Sequence, residues 1–187
     1  GNNFGGFYFK AIIDGLTKEG FRVVVPDQIG YGRSSKPIAP YNFNSQARNT
    51  FLILQHLKIE RAAVVGHSMG AYTALHVGML RPERCLSVTA AGCGWGSTPD
   101  AGKREEMKAL AAETGKMFAA EGIAAAAAKY ADAPMRQALK HKDPRGYAEF
   151  ARQLAEHSAQ GHAHTMLNLQ LKRPTLWEME DKLKRFT

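Results

Sequence analysis

The pentapeptide Gly66-His67-Ser68-Met69-Gly70 constrains this chain more than any other stretch of it. It follows the apolar run Ala62 to Val65 directly and leads into Ala71 to Leu80 (AYTALHVGML), a helical segment. A chain that passes from strand to helix within so few residues must turn very tightly, which forces the middle residue into a strained backbone conformation. Side chains two positions to either side would collide with neighbouring backbone, so glycine is needed at 66 and 70. The turn predicts that the Ser68 hydroxyl stands at the carboxyl end of a sheet. The following helix would then aim its N-terminal amides at the same point.

The rest of the first half agrees with such a sheet. Phe21 to Asp27 (FRVVVPD), Arg61 to Ser68 (RAAVVGHS) and Leu86 to Cys93 (LSVTAAGC) are continuous apolar runs, as expected of strands buried on both faces. Between them Phe7 to Lys18, Ser45 to Leu57 and Met69 to Leu80 repeat apolar residues at helical spacing, and Gly20 stands where a helix C-cap would be. Alternating helix and strand predicts a parallel sheet with covering helices. Beyond Trp95 almost everything reads as helix: Lys103 to Ala120, Ile123 to Ala131, Tyr147 to His157 introduced by Asp143 and Pro144, and Pro174 to Phe186. In the last of these Leu176, Met179, Leu183 and Phe186 recur with helical period, and Pro174 suits its first turn. The chain therefore divides into an α/β part, residues 1–94, and a helical part, residues 95–187.

Charge and composition exclude several roles. Of the net +8, residues 1–98 carry 10 basic against 5 acidic side chains and residues 99–187 carry 15 against 12, with no long basic run. That spread argues against nucleic acid as a partner. No apolar run approaches the roughly 20 residues that cross a bilayer, and no charged-then-apolar start resembles a secretion signal. Cys85 and Cys93 fit no metal or redox spacing; the compartment is left open by the sequence, with a reduced, cytoplasmic one favoured over others.

Val64 to Gly70 (VVGHSMG), taken with Pro26-Asp27-Gln28-Ile29-Gly30-Tyr31-Gly32-Arg33-Ser34, resembles the α/β-hydrolase superfamily. Gly1-Asn2-Asn3-Phe4 is similar to the remainder of that superfamily's His-Gly oxyanion loop, its histidine lying before residue 1. The resemblance implies a partial α/β-hydrolase sheet, its outer strands missing, with residues 95–187 as a helical cap. It implies Ser68 as nucleophile on an elbow formed by Gly66, His67 and Gly70. The backbone N–H groups of Met69 and Asn2 would form the oxyanion hole, where two amides stabilise a tetrahedral intermediate. It implies no cofactor, and a small-molecule acyl substrate, a carboxylic ester or a relative of one, hydrolysed through an acyl-enzyme. A serine disfavours the branches that open halides or epoxides with aspartate. Carbon–carbon bond hydrolysis, perhydrolysis and a non-enzymatic ligand-binding relative remain alternatives.

The superfamily order is nucleophile, then acid, then histidine. Ala91 to Thr98 (AGCGWGST) contains no acid and residues 174–186 read as helix, so the chain is expected to be an internal fragment without the triad acid and histidine. Asp27 resembles an aspartate that stabilises the turn around Gly30 and Gly32. His67 is adjacent to Ser68 but points elsewhere at such a turn, so it is expected to pack locally. His56, His76 and His141 read as surface or packing residues. His157, His162 and His164 form a cluster that could supply a base or, through His162-x-His164, part of a zinc site. No supporting Cys or acidic pattern accompanies them, and no metal is assigned. Trp95, with Asn3 and Phe4, is the candidate lining of a substrate cavity; Met107, Phe118, Tyr130, Phe150 and Met166 are candidates only as a group.

Overall fold

The computed structural model describes residues 5–39 and 41–186. Its chain divides into two compact units. Of the described residues, one holds 41–111 and 167–186, the other 5–39 and 112–166.

The first unit is built on two parallel strands, β1 (Ala62–His67) and β2 (Cys85–Ala91). Val64 pairs with Val88, Gly66 with Ala90 and His67 with Ala91, so both strands end at the same edge. The connection between them is the helix α3 (Met69–Leu80), the crossover that parallel pairing demands. A second helix, α2 (Phe43–His56), starts where Asn42 and Ser45 exchange side-chain and backbone hydrogen bonds in a capping box. It lies against α3, where the Thr73 hydroxyl donates to Gln46 Oε1 at 2.5 Å and Phe43 meets Tyr72 at 5.2 Å between ring centres. Phe43, Ala47, Leu54, Met69, Ala71, Tyr72, Ala74 and Val77 are buried there.

Sequence and structure differ in three places. Over the two later runs Ala62–His67 and Cys85–Ala91 do form strands, but Val65 is 50% and Leu86 62% exposed. Helix α3 packs on the sheet, and burial alternates along β1 rather than covering both faces. Second, residues 21–28 form no strand among the described residues. Val23 to Val25 have strand composition, but a strand exists only through the ladder it shares with a neighbour. Third, residues 171–176 are turn and coil, so Pro174 opens no helix. The helical periodicity is spent on short turns, Trp177–Met179, α8 (Glu180–Leu183) and Lys184–Phe186. The Leu176 amide bonds Gly96 O at 2.9 Å, and Thr175 caps the turn that follows, its hydroxyl accepting the Glu178 amide at 3.2 Å.

The second unit contains α1 (Gly5–Lys18), which ends at Gly20 (φ +84°) with the Phe21 amide bonded back to Leu16 O at 3.0 Å. The long α4 (Ala101–Ala131) belongs to this unit from Ala112 onward. Gly122 interrupts it with φ +75°, ψ 176°, between the two segments predicted as separate helices. Then follow α5 (Gln137–Lys142), α6 (Pro144–Ala155) and α7 (Ala159–His164). Asp143 caps α6 by accepting the Gly146 amide at 2.9 Å, with Pro144 in the first turn as predicted. Ala127, Ala131, Phe150 and Leu154 form one core cluster; Phe118, Ala126 and Ala163 form another. Phe118, Phe150 and Met166, candidates for cavity lining, are buried.

Two of the three clustered histidines serve this unit's interior. His162 is 1% exposed, stacked on Phe118 at 4.5 Å and set edge-on to Tyr31 at 5.1 Å. His157 Nδ1 accepts the Gly32 amide at 3.0 Å, which requires the neutral ring. Burial pushes His162 down to about 3 and His157 to about 4. The turn beneath them is held by Asp27, whose Oδ2 accepts the Arg33 amide at 3.1 Å and lies against Gly32 (φ +48°). Asp27 thus acts on the turn in the way expected, on the amide one residue past Gly32. Gly161 approaches the Gly30 carbonyl so closely that a Cβ there would overlap it.

These histidines make the unit acid-sensitive. The unfolded chain takes up protons near the ordinary histidine value of about 6.5, where the folded chain refuses them. Their stabilisation is therefore complete above about pH 6.5 and falls as pH drops toward about 4 and 3. The melting temperature should fall between pH 7.5 and pH 5. The variant H162F, which keeps the ring stack and cannot charge, should show a shallower fall by calorimetry.

Candidate active site

Between β1 and α3 a single residue carries the whole change of direction. Ser68 has φ 57°, ψ −115°, and with Lys58 it is one of two non-glycine residues of positive φ among the described residues. Such a conformation costs on the order of 1–3 kcal/mol and persists only where its surroundings enforce it. The Ser68 amide donates to Ala91 O at 2.9 Å, tying the turn to the end of β2. The Ser68 carbonyl accepts the Ala71 amide at 3.0 Å, starting α3. A Cβ on Gly66 would overlap the Gly70 carbonyl and lie 2.7 Å from the Ala71 nitrogen, which is the close approach inferred from the sequence.

Ser68 occupies the N-cap position of α3 yet makes no side-chain capping bond, so its hydroxyl is not spent on the helix. It is half-buried, and Met69 behind it is buried. The Met69 amide, first in the helix, has no intrahelical acceptor. Ser68 and this amide therefore stand at the carboxyl edge of the parallel strands. That edge pairs a candidate nucleophile with a donor suited to a developing oxyanion. His67 closes β1; its ring lies by Gly92, and burial lowers its pKa. Asn2, Asn3 and Phe4 lie outside the described residues.

Trp95 follows β2 in the turn Gly94–Ser97 and is buried. Above its ring, 4.2 Å from the centre, sits the guanidinium of Arg173, which also lies 4.8 Å from the ring of Tyr72. Tyr72 is one turn along α3 from Ser68, and its phenol is pushed up to about 12 chiefly by burial. Arg173 is 6% exposed, and burial pulls its pKa down. No feature of the one-dimensional pattern singles out Arg173. It stands beside Pro174 in a segment whose periodicity suggested a helix, and only folding buries it. Among the histidines, His76 is stacked on Phe43 and held by Asn44, while His56 and His141 are exposed. Cys85 and Cys93 are free thiols, raised by burial. No group of three or more His, Cys, Asp or Glu side chains among the described residues could hold a metal ion.

Comparison with known proteins joins this geometry to a family. Residues 1–175 match the family model of the alpha/beta hydrolase fold. The chain belongs to the α/β-hydrolase family. An epoxide hydrolase of Caballeronia sordidicola is 36% identical over 84 residues, 44% of this chain and 26% of that protein. Epoxide hydrolase B of Mycobacterium tuberculosis is 40% identical over 78 residues, 41% and 22% respectively. Among solved structures, the enol-lactonase of Burkholderia xenovorans LB400 superposes with a TM-score of 0.78 at 20% identity, covering 97% of this chain and 65% of that one. The matched stretches thus span about a quarter of these curated relatives, and the chain about two thirds of the solved one. No helix among the described residues is long and apolar enough to cross a membrane.

The α/β-hydrolase turn gives a direct test. Gly66→Ala should destabilise the protein by about 1–3 kcal/mol, the usual cost of forcing extra volume into a packed site. Gly15→Ala in α1, where a Cβ meets nothing within 4 Å, should be neutral or stabilising. Paired thermal melts of the two variants check it.

Proposed function

We propose that Ser68 is the nucleophile of a serine hydrolase acting on carboxylic esters or related acyl compounds. The observation that carries this reading is the positive φ of Ser68, held by the close approach of Gly66 to the Gly70 carbonyl, with its hydroxyl left out of helix capping. In the reaction Ser68 Oγ attacks the carbonyl carbon and yields its proton to a base. The tetrahedral oxyanion is held by the Met69 amide and, in this reading, by that of Asn2. The alcohol leaves, protonated by the same base, and a water molecule then cleaves the acyl-serine to release the acid. The histidine and acid that would serve as base are assigned to no residue of this chain. His157 is bound to Gly32 and His162 is shut inside aromatic packing, so both already have structural work.

Several curated relatives are named epoxide hydrolases. Superfamily members that open epoxides use an aspartate whose carboxylate forms an alkyl ester, and a serine hydroxyl at position 68 is suited instead to acyl transfer. The likeness to a solved enol-lactonase, a cyclic-ester hydrolase by name, is compatible with that choice. In this reading residues 1–94 form the core, residues 95–187 the helical cap, and Trp95 contributes to the acyl site.

A fluorophosphonate probe applied to the whole protein should label Ser68 stoichiometrically. Ser68→Ala should abolish labelling and lower ester turnover by about 10⁴-fold or more. Undiminished turnover in Ser68→Ala would overturn the assignment.

A further inference from the structure

The most anomalous group in the first unit is the Arg173 guanidinium. It is an always-charged group, more than nine-tenths buried, and among the described residues its side chain has neither a carboxylate partner nor a hydrogen-bond acceptor. Nε is sealed from solvent without a partner, and the phenol oxygen of its neighbour Tyr72 is in the same condition. The rings of Trp95 and Tyr72 stabilise the charge through their π faces but offer no lone pair to its N–H groups. The carboxylate of Glu178, five residues along the same segment, is turned to Thr175 instead, accepting its amide at 2.6 Å and its hydroxyl at 2.9 Å. A buried cation left in this way is costly, and a carboxylate in fork geometry offsets part of that cost.

Position gives the group a purpose. Arg173 Nη2 lies 3.1 Å from where a Cβ on Gly94 would be, so glycine there, at φ +64°, is what lets the guanidinium come down onto the backbone that follows β2. The Ser68 turn follows β1 at the same edge of the parallel pair, and Tyr72 is on the first turns of the helix that Ser68 opens. Nearby, Lys108, 5.9 Å from the Trp95 ring centre, is paired with Glu105 at 2.7 Å, and Arg104 is bonded to the carbonyls of Thr98 and Pro99, so neither competes with Arg173 for a bound anion as a bare charge.

Building on the nucleophile reading of Ser68, we propose that Arg173 is a specificity-determining residue that binds a carboxylate on the acyl substrate. The preferred substrates are then half-esters of dicarboxylic acids rather than neutral esters. The free carboxylate takes the N–H fork of Arg173, which in turn directs the ester carbonyl toward Ser68. A guanidinium suits this task better than an ammonium because its planar donors match both carboxylate oxygens.

The test separates this inference from the nucleophile reading. In the whole protein carrying Ser68→Ala and Trp177→Phe, so that nothing is turned over and the exposed Trp177 does not dilute the signal, Trp95 fluorescence is titrated with monomethyl succinate and with dimethyl succinate. The charged probe should bind at least tenfold more tightly. Arg173→Gln should erase the difference, and Arg173→Lys should restore part of it. Equal binding of the two probes with Arg173 intact overturns the proposal whether or not Arg173→Gln folds, as does a preference that survives in a folded Arg173→Gln. Because binding is read without Ser68, charge selectivity beside an unlabelled Ser68 would defeat only the nucleophile reading; labelling beside equal binding would defeat only the role of Arg173.

Discussion

The contact between the α-carbon of Gly66 and the carbonyl of Gly70 is the constraint on which the first unit depends. Only with no side chain at 66 can β1 run straight into α3, and only then is Ser68 forced into a conformation that other L-residues avoid. The strain is local to the turn. It is retained because the parallel pairing of His67 with Ala91, and the Ser68 amide bonded to Ala91 O, leave the chain no relaxed alternative. The result is a hydroxyl and a helix-terminal amide held at one edge by backbone geometry alone, without side chains having to be ordered for the purpose.

A comparable economy of space runs through the rest of the chain. Gly94 admits the Arg173 guanidinium, Gly96 makes room for the Tyr72 phenol, and in the second unit Gly161 lies against the Gly30 carbonyl. In each case a missing Cβ lets a polar group or a backbone segment come closer than another residue would allow. Among the described residues Arg173 Nε has no acceptor, whereas His157 and His162 escape the cost of burial by staying neutral.

Several elements were legible before any coordinates, because they obey local rules. The turn at Ser68, the helix from Met69 to Leu80, the cap at Asp143 and Pro144 and the break at Gly122 each follow from a few neighbouring residues. The misreadings have one origin. Phe21 to Asp27 has the composition of a strand and lacks a ladder; Val65 and Leu86 are apolar yet exposed; Pro174 to Phe186 has helical period, yet its start is turn and coil, with the Leu176 amide bonded to Gly96 O. Each depends on a partner distant in sequence, which periodicity does not encode.

The sequence by itself therefore determined the family, the sharp turn and the identity of the residue at its apex, because steric exclusion around glycine acts within five residues. Tertiary structure alone decided which polar side chains would be buried and beside what. The histidines at 157 and 162 could have been a base or metal ligands until folding stacked them with Tyr31 and Phe118, and Arg173 was one basic residue among 25 until folding set it against Trp95 and Tyr72. Burial is a property of the whole packed unit, and a charge or an imidazole acquires its chemical meaning only from what surrounds it.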